Sequence, residues 1–398
     1  MRILVLGVST RAIAESAVRS GQPIVTVDYF GDRDQKHLVE NYSLLSDLHL
    51  PRHAQGLAEA AGRVTADAVV YIGNLENHPG IVDGLGRSRK LLGNGPEVLR
   101  EVRDWKVLRR FCRETGIACP TTLLPGEEGE ALRGGRWLSK LVRSGGGHGI
   151  RPWDGKSLDE SHILQAETEG LPASVAFVAD GREARVVGLT EQLHGRAELG
   201  ASGFTWCGNI LPLDPTLSDG GVLRRRVERM VAALTLRFGL RGVNGADFIV
   251  HRETDGSLHP YLLEVNPRYC ASMQLVEQAY GVNVFSLHLE GMAGRLPHLS
   301  PVEQPAAGFW GAGIVYARRK VVAPDTDGWI QRGIRDVPFE GDHIEAGRPI
   351  CTVFARGGDR YGCFRNLVLR AAAVNREISQ GREAKRERAA YLDHRTHA

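Results

Sequence analysis

The sequence predicts an α/β fold in three successive pieces: an N-terminal parallel α/β unit, a mixed α+β middle, and a small β-rich closing segment. Three observations predict it. Short apolar runs alternate with helix-like stretches over residues 1–100. Within residues 101–300, a helical run is followed from Trp137 to about Asn266 by short strands, one glycine-rich loop and a further helix. Glycines and short β-like runs then crowd residues 305–370, ahead of a charged tail in the final segment, 301–398. A chain of 398 residues is long enough for two or three domains with cores of their own.

Each element follows from its local pattern. Ile3–Leu6 is an apolar run before GVSTRAIAESAVRSG; Ile24–Val27 ends at Asp28, Ala68–Ile72 at Gly73–Asn74, and Leu91–Leu92 at Gly93–Asn94. Strand, helix, strand in that order predicts a parallel sheet covered by helices and open at the C-terminal ends of its strands. The turn Gly7–Val8–Ser9–Thr10 lacks the GxGxxG spacing, which argues against a nicotinamide-dependent reductase. Asp28 could face a ribose, although a plain turn residue is the commoner case. DWKVLRRFCRETGI, Asp104 to Ile117, has helical periodicity with a glycine near its end, and Pro120 stops it. A second helix is expected over GGVLRRRVERMVAALTLRFG, Gly220 to Gly239. Past Pro297, Gly311–Tyr316 and Pro349–Phe354 read as strands, and NREISQGREAKRERAAYLDHRTHA reads as a helix that frays at the terminus.

Composition excludes several classes. With 42% apolar and 24% charged residues the chain suits a soluble globular protein, and a net charge of +3 is too small to argue for nucleic acid. No apolar run reaches the length of about 18 residues that a membrane span needs. The cysteines at 112, 119, 207, 270, 351 and 363 form no CxxC pair, against a zinc site or a disulfide framework. MRILVLGVST reads as a strand and turn rather than a signal peptide, so a reduced cytoplasm is the expected compartment. A homodimer is the common arrangement among soluble oligomers.

LLEVNPR, Leu262 to Arg268, carries the chemistry. Glu264 and Asn266 lie two apart in a strand-like run, so both side chains project from one face. A carboxylate and an amide oxygen aimed at one spot suit Mg²⁺, which keeps some of its water and binds substrate phosphates. Arg268 follows, a planar donor for phosphate or carboxylate. Asp247 sits inside the apolar run VNGADFIV, and a carboxylate there needs a cation or several hydrogen bonds. The hairpin RETDGSLHP can set Asp247 beside Glu264, with a structural ion pair as the rival role. Upstream, Lys140 precedes Gly145, Gly146, Gly147 and His148, a loop whose backbone N–H groups can approach phosphate oxygens; a mobile surface hairpin is the competing reading. HILQAETEG offers Gln165, Glu167 and Glu169 to a nucleoside, or else simply to solvent. Glu191, His194 and Arg196 are candidates for a second substrate, each also an ordinary loop residue.

These pieces together resemble the ATP-grasp superfamily. The resemblance runs from Lys106, in the helix before Gly116–Ile117, through Lys140 before SGGGHGI, the hinge QAETEG and GADFI, to LLEVNPR, covering about residues 100–290. It is similar in particular to the carboligase group related to biotin carboxylase, whose closing lobe VPFEGDHIEAGRPICTVFA resembles. The resemblance implies a pre-ATP-grasp α/β domain followed by a two-lobed α+β ATP-grasp domain. Lys106 and Lys140 would contact ATP phosphates, the glycine loop would close over them, and Asp247, Glu264 and Asn266 would hold Mg²⁺, with Mn²⁺ as a substitute. Catalysis would fall to Arg268 and Lys140. The implied reaction activates a carboxylate as an acyl phosphate for attack by an amine, releasing ADP and phosphate, with small molecules as both substrates. Some members of the wider set form glutamyl amides in methanofuran and tetrahydromethanopterin-type cofactors, which would place the chain in one-carbon cofactor biosynthesis. Many relatives carry an acidic residue two positions after the hinge glycine; here Pro172 stands there, and Glu169 is the substitute ribose contact. A bicarbonate-activating carboxylase and a nucleotide-binding protein without turnover remain the alternatives.

Overall fold

The computed structural model describes residues 1–213, 221–297 and 308–396. Five strands open the chain: β1 (Ile3–Leu6), β2 (Ile24–Asp28), β3 (Glu40–Ser43), β4 (Ala68–Tyr71) and β5 (Lys90–Leu91). They form one parallel sheet in the order β3-β2-β1-β4-β5. Both faces of β1 are buried, as helical crossovers on a parallel sheet demand. The crossovers are α1 (Arg11–Arg19), α2 (Arg33–Leu38), α3 (Ala54–Arg63) and α4 (Pro79–Ser88). The β1–α1 turn needs glycine at its start, because a Cβ on Gly7 would lie 2.3 Å from Ile72 Cγ1.

Helices α5 (Pro96–Val102) and α6 (Trp105–Thr115) lead out of this unit. Asp104 caps α6 by accepting from the Lys106 and Val107 N–H groups, and Gly116 ends it at φ +67°. Next comes a small antiparallel sheet in the order β6-β9-β7-β8, from β6 (Thr122–Leu123), β7 (Trp137–Leu141), β8 (Arg151–Pro152) and β9 (His162–Ala166).

A seven-stranded antiparallel sheet follows. Its members are β10 (Leu171–Asp180), β11 (Ala184–His194), β12 (Trp206–Leu211), β13 (Arg241–Arg252), β14 (Leu258–Asn266), β15 (Phe309–Tyr316) and β18 (Pro349–Gly357). They lie in the order β14-β13-β10-β11-β12-β15-β18, with β16 (Val321–Val322) and β17 (His343–Ile344) paired separately. Strands β15 and β18 therefore extend the central sheet, while β16 and β17 form a small ribbon of their own. Helix α7 (Val222–Phe238) occupies the expected stretch, whose Gly220 lies outside the described residues. Its Val227, Met230, Val231, Leu234 and Phe238 pack on Val175, Phe177, Phe248 and Leu262 of the sheet. Each such side chain contributes about 1.5–3 kcal/mol through burial.

The N-terminal unit is joined to this sheet by a continuous apolar cluster. Ile3, Val5 and Ile13 meet Val178, Val243 and the helices α8 (Ser272–Tyr280) and α9 (Val284–Met292) through Met273, Val276 and Phe285. Asn94 adds a polar tie, donating to Asn244 Oδ1 at 2.8 Å and to the Pro267 carbonyl at 3.0 Å. The C-terminal helix α10 (Arg360–Thr396) lays Cys363, Leu367, Ala371, Val374 and Ile378 against β15 and β18, so the charged tail continues a helix that is anchored by an apolar stripe. No described helix is long and apolar enough to cross a membrane.

Candidate active site

A cavity of about 700 Å³ opens between the small sheet and the seven-stranded sheet. Antiparallel pairing of β13 with β14 sets Asp247 opposite Glu264 and Gly245 opposite Asn266, with a bulge just after Asp247. The alternation of β14 turns Glu264 and Asn266 to the same side, and all three side chains line the cavity. Asn266 Nδ2 donates to Asp247 Oδ2 at 3.0 Å, and Gln192 Nε2 donates to Oδ1 at 2.9 Å.

The two carboxyls titrate as a pair. Burial first, then the adjacent Glu264 charge, pushes Asp247 up to about 8. Burial would raise Glu264 too, but Arg103, a hydrogen bond with Asp247 and then Lys140 outweigh it and hold that carboxyl below its usual range. Two acids thus share one proton near neutral pH, a state that a divalent cation would replace. Among the described residues no group of three or more His, Cys, Asp or Glu gathers into a metal site, so a third protein ligand would have to be Asn266. Its amide oxygen faces Arg268 NH2 at 3.3 Å, and the amide must turn over to offer oxygen to an ion between the acids.

Lys140 rises from β7 into the cavity. Burial lowers its pKa, against the pull of Glu264 and Asp247. Its ammonium donates to Gln165 Oε1, and Gln165 Nε2 in turn donates to Thr122 Oγ1 at 3.2 Å. Gly145, Gly146 and Gly147 line the cavity beside Lys140. The loop is seated on the segment before β12: Trp206 N–H donates to the Gly146 carbonyl at 3.0 Å. A Cβ on Gly147, at φ +76°, would fall 1.8 Å from the Phe204 carbonyl oxygen. Glu167 lines the cavity and pairs with Arg136 at 2.8 Å.

Three expected residues lie elsewhere. Lys106 is exposed and does not line the cavity, because the cap at Asp104 fixes the phase of α6 so that Trp105 turns inward and Lys106 outward. Arg103 takes the cationic place instead. Its NH1 donates to Glu264 Oε2 at 3.2 Å and to the Val265 carbonyl at 3.1 Å, while Nε donates to Asn77 Oδ1 at 3.1 Å. His148 is exposed on the outer side of the glycine loop. Glu169 is exposed past the hinge and contributes only its carbonyl, 2.8 Å from His251 Nδ1; Thr168 and Pro172 line the cavity there.

Arg268 is largely enclosed, its side chain 16% exposed, and is paired with Glu76 of the N-terminal unit at 2.7 Å. Burial would raise the Glu76 carboxyl, but the Arg268 guanidinium overcomes that and holds it at about 2. Of the second-substrate candidates only His194 lines the cavity, kept neutral with its pKa lowered to about 4 by burial and then by Lys140 and Arg196. Glu191 is committed to Arg360 of α10, and Arg196 lies 5.4 Å over the Phe364 ring. Asp28 is structural: it accepts from the Thr10 hydroxyl at 2.7 Å and from the Phe30 and Gly31 N–H groups.

Comparison with known proteins bears on the domain and the fold. Residues 104–272 match the sequence model of the ATP-grasp domain. The chain is 22% identical over 376 residues to an uncharacterised protein of Methanocaldococcus jannaschii, covering 89% of this chain and 88% of that one. Its fold is similar to biotin carboxylase of Campylobacter jejuni in complex with β-γ-ATP, with TM-score 0.68, 15% identity, and coverage of 92% and 89%. It is also similar to phosphoribosylamine–glycine ligase of Thermotoga maritima, with TM-score 0.65, 18% identity, and coverage of 95% and 97%.

Proposed function

Because residues 104–272 match the ATP-grasp domain, we propose that the chain is an ATP-dependent carboxylate–amine ligase that forms an amide through an acyl phosphate and releases ADP and phosphate. The observation that supports this most directly is the convergence of Asp247, Glu264 and Asn266 with Lys140 and Arg103 on one cavity. The donor set fits Mg²⁺: two carboxylates sharing a proton, and an amide able to supply a third oxygen. Bound there, Mg²⁺ would neutralise phosphate charge and orient a triphosphate.

The chain's own residues do the remainder. Lys140 and Arg103 offset the repulsion between a triphosphate and a donor carboxylate. Gly145–Gly147 bring backbone N–H groups close to phosphate oxygens, and their seat on Phe204–Trp206 fixes the loop beside Lys140. Gln165, Glu167 and Thr168 lie where the hinge meets the cavity and hold the nucleoside. Arg268, fixed by Glu76, sits beside Asn266 as the donor for an oxyanion of the acyl phosphate. His194, neutral and lining the cavity, is placed to take the proton that the attacking amine must lose. The reading extends to glutamyl-amide formation in a one-carbon cofactor pathway, which the family resemblance alone supports.

Activation of bicarbonate is the second reading, favoured by the similarity to biotin carboxylase. A screen of acid–amine pairs against bicarbonate, scored by ADP release, separates the two. ADP release that depends on one acid and one amine supports the ligase; release that depends on bicarbonate alone supports the carboxylase.

A further inference from the structure

Lys140 reaches the cavity from a small sheet whose register decides what stands behind it. Where β9 pairs with β7, Leu138 lies opposite Gln165 and Lys140 opposite Ile163. Where β6 pairs with β9, Thr122 lies opposite Gln165. Opposite residues share a face of the sheet, as do residues two apart on one strand. Thr122, Gln165 and Lys140 therefore stand on the same face, with Lys140 diagonal to Gln165 and within reach of a long side chain. Gln165 and Lys140 line the cavity, whereas Thr122, 5% exposed, stands behind them and does not.

The hydrogen bonds across this face have one consistent polarity. An ammonium can only donate, and Lys140 donates to Gln165 Oε1. The Nε2 end of that amide is thereby turned to Thr122, whose hydroxyl oxygen accepts from it at 3.2 Å. The single hydroxyl proton runs the other way, to the Pro120 carbonyl at 3.1 Å. With its proton spent there, Thr122 can offer Gln165 only an acceptor. Turning the amide over would set its NH2 against the ammonium and its oxygen against the Thr122 oxygen, two repulsive contacts at a side chain only 2% exposed. Thr122 is itself held in place: Arg109 of α6 donates to its carbonyl at 3.0 Å and pairs with Glu127, which ties edge strand β6 to α6.

We propose that Thr122 is a positioning residue for Lys140: by fixing which end of the Gln165 amide faces the ammonium, it holds Lys140 in place for the phosphates of the nucleotide. Thr122 acts through Gln165 and touches no ligand itself. One ammonium donor goes to Gln165, and the other two are left for phosphate oxygens. Gln165 in turn keeps a second amide hydrogen and a second lone pair for the nucleoside. The effect on phosphate binding rests on the nucleotide reading of the cavity, whereas the relay rests on its own hydrogen bonds.

A double-mutant cycle in the full chain, read by calorimetric titration with MgADP, tests this. Thr122→Val keeps the shape and loses the acceptor, and Thr122→Ala loses both. In each, MgADP affinity falls about three- to tenfold, the loss of one hydrogen bond. Thr122→Ser keeps the hydroxyl and restores binding to within about twofold of native. In a Lys140→Ala background Thr122→Val costs nothing further, because no ammonium is left to position. A merely structural threonine would instead weaken binding equally with and without Lys140. The proposal is overturned by that additivity, by native affinity in both Thr122→Val and Thr122→Ala, or by a Thr122→Ser variant that binds no better than Thr122→Val. A native chain that binds no MgADP would remove the nucleotide reading, and the relay is then judged by the side-chain amide NMR signals of Gln165. Thr122→Val and Lys140→Ala should each shift them; signals unmoved in either variant overturn the relay as well.

Discussion

Replacing Glu76 with glutamine tests how the N-terminal unit supports the site. Glu76 is 3% exposed and pairs with Arg268, whose side chain is 16% exposed and which lies two residues past Asn266. A carboxyl held at about 2 rather than its ordinary 4.5 corresponds to about 3 kcal/mol in favour of the charged form at pH 7. Removing one partner of a buried pair leaves the other charge uncompensated, at a cost of about 3–5 kcal/mol. Glutamine can still accept one hydrogen bond, so Glu76→Gln should lose about 3 kcal/mol. The pH dependence has a definite sign. The folded-state pKa is depressed, so the contribution is complete above about 4.5 and fades as pH falls toward 2. Urea unfolding followed by tryptophan fluorescence should therefore show a gap at pH 7 that closes near pH 2. A variant within about 0.5 kcal/mol of native at pH 7, or a gap unchanged at low pH, would refute the reasoning. Glu76→Leu with Arg268→Met should recover much of the loss, because apolar replacement of both partners avoids the stranded charge.

Three further outcomes follow from the same geometry. Glu264→Gln should abolish ATP-dependent ADP formation while the circular dichroism spectrum stays native; normal ADP release would contradict the metal role. Lys140→Ala removes a charge-assisted donor worth about 1.5–3 kcal/mol, so ADP affinity by calorimetry should fall about ten- to a hundredfold. Gly147→Ala meets both the positive φ and the Phe204 carbonyl, so the loop must lift from its seat. Faster proteolysis within residues 143–150 and a raised KM for ATP should accompany it, with the rest of the chain unaffected.

Much of this was legible in the sequence, and the limits have physical causes. The parallel sheet was visible because its strands are buried on both faces and so read as unbroken apolar runs. Glu264 and Asn266 were legible because a period of two dictates a shared face, and Asp247 because a carboxylate in an apolar strand needs a partner. What no local pattern records is the phase of a helix relative to a distant site, so the position of Lys106 outside the cavity lining could not be read. Arg103, Gln192 and Glu76 escaped for a related reason. Their roles arise from contacts across 161, 55 and 192 residues of chain, with no motif between. Glu169 lies exposed outside the cavity lining, just before the backbone turn at Gly170, at φ +145°. The strands after residue 308 looked like a separate closing piece since sequence order does not reveal that β15 pairs with β12.

Arg103 offers the sharpest contrast between sequence order and spatial order. A lysine three residues later has the charge that the family pattern suggests, but Arg103 has the position. Its fork spends Nε on Asn77 and NH1 on both Glu264 and the Val265 carbonyl, and the side chain is only 11% exposed. Lysine at 103 keeps the charge that favours ionised Glu264 but has a single nitrogen, unable to bridge Asn77 and Glu264 together. Losing one charge-assisted bond, about 1.5–3 kcal/mol, should lower kcat/KM for ATP by about tenfold or more in Arg103→Lys. Arg103→Met should lose more, because Glu264 then lacks the cation that holds its pKa down. Lys106→Ala, on the outer face of the same turn, should leave kcat/KM within about twofold of native, as surface changes away from a site do. If Lys106→Ala proves the more damaging of the two, α6 adopts another phase with nucleotide bound, and the cation at Glu264 has been misassigned.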